Sequence, residues 1–228
     1  MKIGVISDPH ANLQALEAVL NDMGDVDAIL CAGDLVGYCA QPNEVIELIK
    51  KNRVKCVLGN HDRSAVTGEL SGLNVAESKV ATWTREALKA KNKRYLRGLS
   101  EKKTFKKGGK SIFIAHGSPR KPLIEYVFPG TPSRALLRMI QGVDSDVIIL
   151  GHTHVPMERI LQSKLIINPG GVGQPRDRDP KAAYAILDLE GEPKVEFKRV
   201  KYDVELASAK ILEAELPREI ATRIHFGW

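Results

Sequence analysis

The chain has 228 residues, of which 43% are hydrophobic and 27% are charged, a globular composition that excludes a disordered, collagen-like or coiled-coil protein. Its 34 basic and 28 acidic side chains give a formal net charge of +6. The sequence contains no run of about 20 apolar residues and no signal peptide, so we expect a protein without a membrane segment.

The first half of the chain alternates short apolar segments with helical patterns. Strands are predicted at residues 3–6, 28–31 and 54–58. Helices are predicted over residues 13–20, over residues 42–50, and from the capping residue Asn74 to about Lys91. This alternation predicts a parallel sheet with right-handed crossover connections.

The second half is predicted to add antiparallel pairs. Further strands are predicted at residues 111–115, 147–150, 157–161, 165–167, 182–189 and 194–200. Helices are predicted over about residues 203–228, with an interruption at Pro217. The elements together predict an α/β fold, a four-layer α/β/β/α sandwich of two mixed β-sheets flanked by helices.

The organisation of the chain indicates one domain over residues 1–228, because no Ser-, Gly- or Pro-rich linker separates the apolar segments. Residues 117–131 are the least regular segment and contain three prolines, so we expect a cap loop over a functional site there. The three cysteines show no metal-binding or redox spacing. Free thiols of this kind favour a cytoplasmic location.

The positive charge is concentrated in residues 89–110, which contain ten basic side chains and one acidic one. A polyanion such as nucleic acid would bind a patch of this kind. The alternative is a solvated helix face followed by an edge strand, whose lysines block pairing with another chain. Aromatic stacking partners are sparse in this segment, so we favour the alternative and expect no nucleic-acid partner.

Polar residues follow the apolar strands at the points where the strands end. These exits carry Asp8 and His10, Asp34, Asn60 and His61, His116, and His152 and His154. They hold five of the six histidines in the chain. Because ligands of open α/β sheets bind outside the carboxyl ends of the strands, we expect these side chains to converge.

The types of the converging residues indicate a site for two borderline divalent cations. The two members of the Asp8/His10 pair, and of the His152/His154 pair, are two residues apart, so an extended backbone would turn both to one side. Glycines at positions 33, 59, 117 and 151 permit close approach. A carboxylate can bridge two cations, a role that suits Asp34. Two such cations with two aspartates and a hydroxide keep a net positive charge, which favours a phosphate substrate.

The ordered set of motifs resembles the calcineurin-like metallophosphoesterase superfamily, and within it the small prokaryotic phosphodiesterase branch. The motifs are Asp8-x-His10, Gly33-Asp34, Gly59-Asn60-His61-Asp62, His116, Gly151-His152-x-His154 and the segment Asn-Pro-Gly-Gly-Val-Gly-Gln-Pro-Arg-Asp at residues 168–177. The resemblance covers residues 1 to about 190. Any one motif would be a weak signal, but the complete ordered set is specific.

The resemblance implies a ligand set and a mechanism. One cation would be bound by Asp8, His10, His154 and a bridging Asp34, and the second by Asp34, Asn60, His116 and His152. A hydroxide bridging the two metals would attack phosphorus. His61 would protonate the leaving oxygen or stabilise its charge. Asp62 would either orient His61 or cap a turn, and Arg63 would either contact the phosphate or form a surface ion pair.

The predicted function is a metal-dependent phosphodiesterase that acts on small phosphodiesters, nucleotide-derived ones included. The predicted cofactors are two divalent metal ions, with Mn favoured and Fe, Ni and Zn as alternatives. The alternative functions are a nucleoside polyphosphate hydrolase, a phosphomonoesterase, a non-catalytic scaffold and a nuclease. The expected partner is a small phosphoester substrate, and a homodimer through the antiparallel edge near the C-terminus remains an alternative to a monomer.

Overall fold

The computed structural model describes all residues, 1–228, and contains ten strands and eight helices. The strands are β1 (Lys2–Ile6), β2 (Ala28–Cys31), β3 (Lys55–Cys56), β4 (Lys102–Lys107), β5 (Lys110–Ala115), β6 (Val147–Ile149), β7 (Met157–Leu161), β8 (Lys164–Asn168), β9 (Ala182–Asp188) and β10 (Lys194–Val200). The helices are α1 (Leu13–Asp22), α2 (Pro42–Lys51), α3 (Asn60–Thr67), α4 (Val75–Ala87), α5 (Ala90–Arg97), α6 (Ser133–Met139), α7 (Val204–Glu213) and α8 (Arg218–Phe226). No helix is both long enough and apolar enough to cross a membrane.

The strands form two mixed five-stranded sheets, which confirms the predicted α/β sandwich. The order in the first sheet is β10-β9-β1-β2-β3, with β1, β2 and β3 parallel and β9 antiparallel to both neighbours. The order in the second is β4-β5-β6-β8-β7, with β5, β6 and β8 parallel. The basic strand β4 lies at an edge, as the lysine-rich pattern predicts.

Alternating side chains on the strands build the layers of the sandwich. Ile3 and Val5 of β1 point to the second sheet and pack with Ile114 of β5 in a buried cluster. The other face of the first sheet packs against α1, which contributes Leu16. The other face of the second sheet packs against α6, which contributes Leu136. The two sheets therefore lie inside and helices cover both outer faces.

Four elements differ from the sequence prediction. The strand predicted at residues 54–58 has only two residues in its ladder, because Leu58 leaves the sheet and its amide donates to the carbonyl of Ser100. The helix predicted to continue to about Lys91 ends at Ala87, and the chain restarts as α5. The break is fixed by Asn43, which donates to the Ala87 carbonyl and accepts from the Lys89 amide, both at 2.9 Å. Helices α3 and α6 were not predicted.

The two sheets meet at the carboxyl ends of their parallel strands. The amide of Asp8, after β1, donates to the Gly33 carbonyl at 3.0 Å, and the amide of Gly151, after β6, donates to the His116 carbonyl at 2.7 Å. The His116 ring in turn donates to the carbonyl of Ala32, after β2, at 2.8 Å. These bonds connect strand exits within and between the sheets, and so bring distant segments of the chain to one place.

Candidate metal centre

The strand exits bring the predicted site residues together in two adjacent groups of metal-ligand type. The first group is Asp8, His10 and His154, and the second is Asp34, His116 and His152. Within each group the potential ligand atoms lie within 4.8 Å of one another, and all six residues are buried. Each group takes residues from both sheets. The convergence that the sequence predicts at the strand ends is therefore present in the fold.

The first group places three electron-pair donors around one point. The Nε2 atoms of His10 and His154 are 3.2 Å apart. Oδ1 of Asp8 lies 3.2 Å from Nε2 of His154 and 3.6 Å from Nε2 of His10. Two ligands of a common cation, each about 2.1 Å from it, are separated by about 3.0–3.4 Å at tetrahedral or octahedral angles. Two of the three separations lie in this range and the third lies just above it, which fits a shared cation.

The second group is built around Nε2 of His116. This nitrogen lies 2.9 Å from Oδ1 of Asn60, 3.1 Å from Nδ1 of His152 and 3.2 Å from Oδ2 of Asp34. Asn60 is the first residue of α3, and its side-chain amide oxygen lies beside the predicted ligands Asp34, His116 and His152. All four predicted donors of the second cation thus surround one position.

A single oxygen of Asp34 lies between the two groups. Its Oδ2 is 3.6 Å from Nε2 of His10 in the first group and 3.2 Å from Nε2 of His116 in the second. The other oxygen, Oδ1, accepts a hydrogen bond from the amide of His61 at 2.9 Å, which fixes the rotation of the carboxylate. This arrangement gives Asp34 the position that a bridging ligand requires.

Backbone carbonyls set the tautomers of the two histidines in the first group. Nδ1 of His10 donates to the Val36 carbonyl at 3.0 Å, and Nδ1 of His154 donates to the Gln174 carbonyl. A carbonyl oxygen only accepts, so Nδ1 carries the proton and the neutral ring keeps its lone pair on Nε2. Metal-binding histidines are oriented in this way by their second nitrogen. The lone pairs therefore face the centre of the group.

Buried atoms without partners show that the donors fit a cation. Oδ1 of Asp8 and Oδ2 of Asp34 are both inaccessible to solvent and accept no hydrogen bond within the protein. Leaving such an acceptor unpaired costs about 1–3 kcal/mol, and more for a charged group. Both oxygens point into the clusters, so divalent cations there would satisfy them.

The pKa shifts of three of the predicted ligands agree with the forms in which they would bind a metal, and that of His116 does not. Burial opposes the charge on Asp8 and Asp34, but attraction to His154 and to His116, respectively, lowers the pKa of each carboxyl below its usual value. Burial, together with repulsion from His116, lowers the pKa of His152 to about 3. For His116, burial is outweighed by the charge of Asp34, which raises the pKa of the imidazole to about 9. Metal binding at this ring would require the loss of that proton.

The backbone of the ligands differs from the sequence prediction. We expected extended backbone to turn the members of each pair to one side, and this expectation is wrong. The left-handed φ values are 55° for Asp8, 48° for His10, 54° for Asp34, 70° for His152 and 58° for His154. Such dihedrals cost roughly 1–3 kcal/mol each and are concentrated at functional sites. Tight turns, rather than extended segments, therefore aim these side chains.

Of the three residues that follow Asn60, His61 lies at the site, whereas Asp62 and Arg63 make structural contacts. His61 is buried and its Nδ1 has no partner, while its ring lies 5.0 Å from that of His10. Asp62 does not orient it. The carboxylate of Asp62 instead accepts from the amides of Val36 and Gly59, both at 3.0 Å, and so caps α3. Arg63 forms the surface ion pair, with Glu101 at 3.1 Å.

Three residues near the centre were not assigned by the sequence. Tyr126, in the predicted cap loop, stacks on the ring of His152 with 3.8 Å between centroids. Tyr38 packs edge-on against His10, and Arg176 donates to the hydroxyl of Tyr38 at 2.8 Å. Arg176 lies in the motif at residues 168–177, and Tyr38 follows the Gly33-Asp34 motif. These sequence positions were a signal, but only the fold shows that the two side chains are in contact.

Comparisons with known proteins agree with the geometry. A family model described as a calcineurin-like phosphoesterase superfamily domain matches residues 1–192. The uncharacterised protein MJ0912 of Methanocaldococcus jannaschii is 37% identical over 246 aligned positions, which cover 99% of this chain and 98% of that protein. A probable metallophosphoesterase of Methanothermobacter thermautotrophicus is 31% identical over 195 positions, covering 84% of this chain and 88% of the relative. A crystal structure of a metallophosphoesterase from Sphaerobacter thermophilus gives a TM-score of 0.86 at 37% identity, covering 100% of this chain and 99% of that one.

Proposed function

The chain belongs to the calcineurin-like phosphoesterase superfamily, and on this premise we propose that it is a metal-dependent phosphodiesterase acting on small phosphodiesters. The observation that carries the proposal is the pair of donor clusters that share one oxygen of Asp34. Paired cations about 3.5–4 Å apart suit an in-line displacement at phosphorus, because both the attacking and the leaving oxygen can be stabilised.

The proposed ligands are the seven residues predicted from the sequence. They are Asp8, His10, His154 and bridging Asp34 for one cation, and Asp34, Asn60, His116 and His152 for the other. When bound, the cations supply the Lewis acidity that activates water and neutralises charge on the phosphate. The mixed nitrogen and oxygen donors suit Mn²⁺, which we favour among the borderline ions. The protein's part is to hold the donors buried and preorganised.

His61 is proposed as the catalytic side chain. It belongs to neither cluster, yet its ring packs against His10 and its amide donates to Asp34, so it lies beside both groups. Neither ring nitrogen is hydrogen-bonded within the protein, and Nδ1 is buried beside Gly37, so Nε2 is the nitrogen left to bond a substrate atom. We assign it the transfer of a proton to the leaving oxygen, or the stabilisation of the charge on that oxygen.

Other parts of the proposal concern the whole chain. We propose a single domain with residues 117–131 as a cap loop, because Tyr126 of this segment covers a predicted ligand. The three cysteines are buried and free, which supports the proposed cytoplasmic location. A second copy of the chain could pair at the edge strand β10, and a small phosphoester is the proposed partner at the site.

A substrate panel tests the proposed function. The protein is reconstituted with Mn²⁺, its metal content is measured, and it is assayed with an aryl phosphodiester, an aryl phosphomonoester and a dinucleoside polyphosphate. We expect the diester to give the highest kcat/KM. Preference for the polyphosphate or the monoester would favour those alternative functions. A protein with both sites filled and no activity on any substrate would contradict the proposal and favour a scaffold.

His61→Ala tests the catalytic assignment. We expect two bound metals per chain and a kcat about 10²–10⁴ times lower for a diester with an alkoxide leaving group, because general acid catalysis contributes about this much. The loss should be smaller for a nitrophenolate, which leaves without a proton. His225→Ala is the matched control, since His225 lies in α8 outside the clusters. Equal rates of the wild type and His61→Ala on the poor leaving group would remove His61 from this role.

A further inference from the structure

Arg176 carries a guanidinium group without an acidic partner close to the metal centre. Its Nη2 donates to the hydroxyl of Tyr38 at 2.8 Å and to Oε1 of Gln174 at 3.2 Å. Both acceptors are neutral, and no carboxylate oxygen of the protein lies within 4.0 Å of this group. By contrast, Arg63 is paired with an acid. A largely buried cation without a counterion is costly, and an anionic ligand would remove that cost.

The position of Arg176 is next to the predicted catalytic side chain. Its backbone amide donates to the carbonyl of the predicted ligand His154 at 3.3 Å. Its Cζ lies 5.5 Å from the centroid of the Tyr38 ring, and that ring is 4.6 Å from the rings of both His10 and His61. The guanidinium is therefore one aromatic ring away from the metal centre, on the side of His61.

A chain of hydrogen bonds holds the guanidinium in place. The Tyr38 hydroxyl, which accepts from Arg176, donates to Oε1 of Glu77 at 2.7 Å. Oε2 of Glu77 accepts from the amide of Asn74 at 2.9 Å and closes the N-terminal cap of α4. The arginine is thus tied through two side chains to the start of a helix. This preorganisation lowers the entropy that binding an anion would otherwise cost.

We propose that Arg176 binds a non-bridging oxygen of the substrate phosphate through a free N–H group of its guanidinium, on Nε or on Nη1, and that Tyr38 and Glu77 position it. The inference rests on the proposed function, because a phosphoester is the anion that the neighbouring cations would bind. Nη2 already donates to Tyr38 and Gln174, so the donors on Nε and Nη1 are the ones left for a charge-assisted hydrogen bond to phosphate. Arg176 would add binding energy and orientation that seven metal ligands do not supply.

Binding of inorganic phosphate to the Mn²⁺-loaded protein tests this assignment without turnover. Calorimetry should show that Arg176→Met raises the Kd of phosphate about 10- to 100-fold, the change expected when a charge-assisted hydrogen bond is lost. Arg178→Met is the matched control, because Arg178 is exposed two residues further along the same segment. We expect it to change Kd by less than about twofold. Metal content is measured for each variant, so that loss of phosphate binding is separated from loss of metal.

Three further measurements separate direct contact from a structural role. Arg176→Lys should recover only part of the phosphate affinity, because an ammonium group keeps the charge but lacks the planar geometry that Tyr38 and Gln174 hold in place. Added guanidinium ion should restore phosphate binding to Arg176→Ala but leave the control unchanged. Tyr38→Phe, which keeps the ring and removes the hydroxyl, should weaken phosphate binding about 3- to 10-fold and raise KM with little change in kcat.

The outcomes distinguish this inference from the proposed function. Weaker phosphate binding by Arg176→Met, with metal retained and rescue by guanidinium, supports the inference even if no phosphodiester is hydrolysed. A hydrolase whose phosphate Kd is unchanged by Arg176→Met would overturn the inference and leave the proposed function standing. A metal-loaded wild type that does not bind phosphate at all would overturn it too.

Discussion

The two carboxylate oxygens of Asp34 have different surroundings. Oδ1 accepts from the amide of His61, and Oδ2 lies between the two donor groups without a hydrogen bond. The residue has a left-handed φ of 54°, which an aspartate adopts at a cost. Close backbone contact holds it there, since a Cβ built on Gly59 would be 2.0 Å from Oδ1 and 2.3 Å from the amide nitrogen of Asp34. Asp34 can therefore hold the bridging position only because residue 59 has no side chain.

Gly59→Ala should displace Asp34 and weaken metal binding. Gly59 has a φ of −100°, which alanine adopts without strain, so the effect is purely steric. We expect the free energy of unfolding to fall by about 1–3 kcal/mol, as for other overpacked sites. We also expect fewer than two metals per chain by elemental analysis. Gly130→Ala is the control, since its Cβ would meet nothing within 4 Å. Two tightly bound metals in Gly59→Ala would show that the contact does not set the bridge.

Helices α4 and α5 are joined by one side chain from a third helix. Asn43 of α2 donates to the carbonyl of Ala87 at the end of α4. Its Oδ1 accepts from the amide of Lys89 and from Nδ2 of Asn92 at 2.9 and 3.0 Å. The two-residue break between the helices thus keeps its polar groups paired. Because Glu77 at the start of α4 accepts from Tyr38, this packing also supports one wall of the site.

Asn43→Ala should destabilise the fold without changing the chemistry. Loss of three hydrogen bonds, each contributing about 0.5–1.5 kcal/mol, predicts a fall of about 2 kcal/mol or more in the free energy of unfolding. Urea titration measures this change. We expect the kcat of the folded protein to stay close to the wild-type value. Asn52→Ala removes a single exposed bond to Leu48 and should cost less than about 0.5 kcal/mol. Equal stability of the two variants would contradict this account of the break.

The elements that periodicity determines were predictable, and those that tertiary contacts determine were not. Strands such as β1 and β6 follow from apolar runs, and the ligand residues follow from the exits of these strands. The break after Ala87 depends on Asn43, which is 44 residues away in sequence. The left-handed turns and the bond between Arg176 and Tyr38 depend on contacts across the fold in the same way. Local sequence does not encode such pairs.

Each donor group of the metal centre takes side chains from both sheets. Asp8 and His10 follow β1 in the first sheet, and His154 follows β6 in the second. The second group likewise combines Asp34, after β2, with His116, after β5. A cation in either position would link the sheets at the edge where their strands end. The two sheets are therefore held together by the apolar layer between them, and bound cations would hold the same interface at its edge.

Metal binding should stabilise the whole molecule. At 100 times Kd, a ligand that binds only the folded state adds about 2.7 kcal/mol, so two cations would add about 5 kcal/mol. For a chain of this size the corresponding rise in Tm is about 10–20 °C. Calorimetry with and without a chelator measures it, and hydrogen exchange should slow in β1 and β6 together, because each cation links the two sheets.

Asp34→Asn is the control for this linkage. It keeps an acceptor for the His61 amide but lacks the charge of the shared ligand, so its Tm should rise much less when Mn²⁺ is added. Stabilisation confined to one sheet would show that the cation does not join the two halves. An equal rise in Tm for Asp34→Asn and the wild type would show that the stabilising cation binds elsewhere.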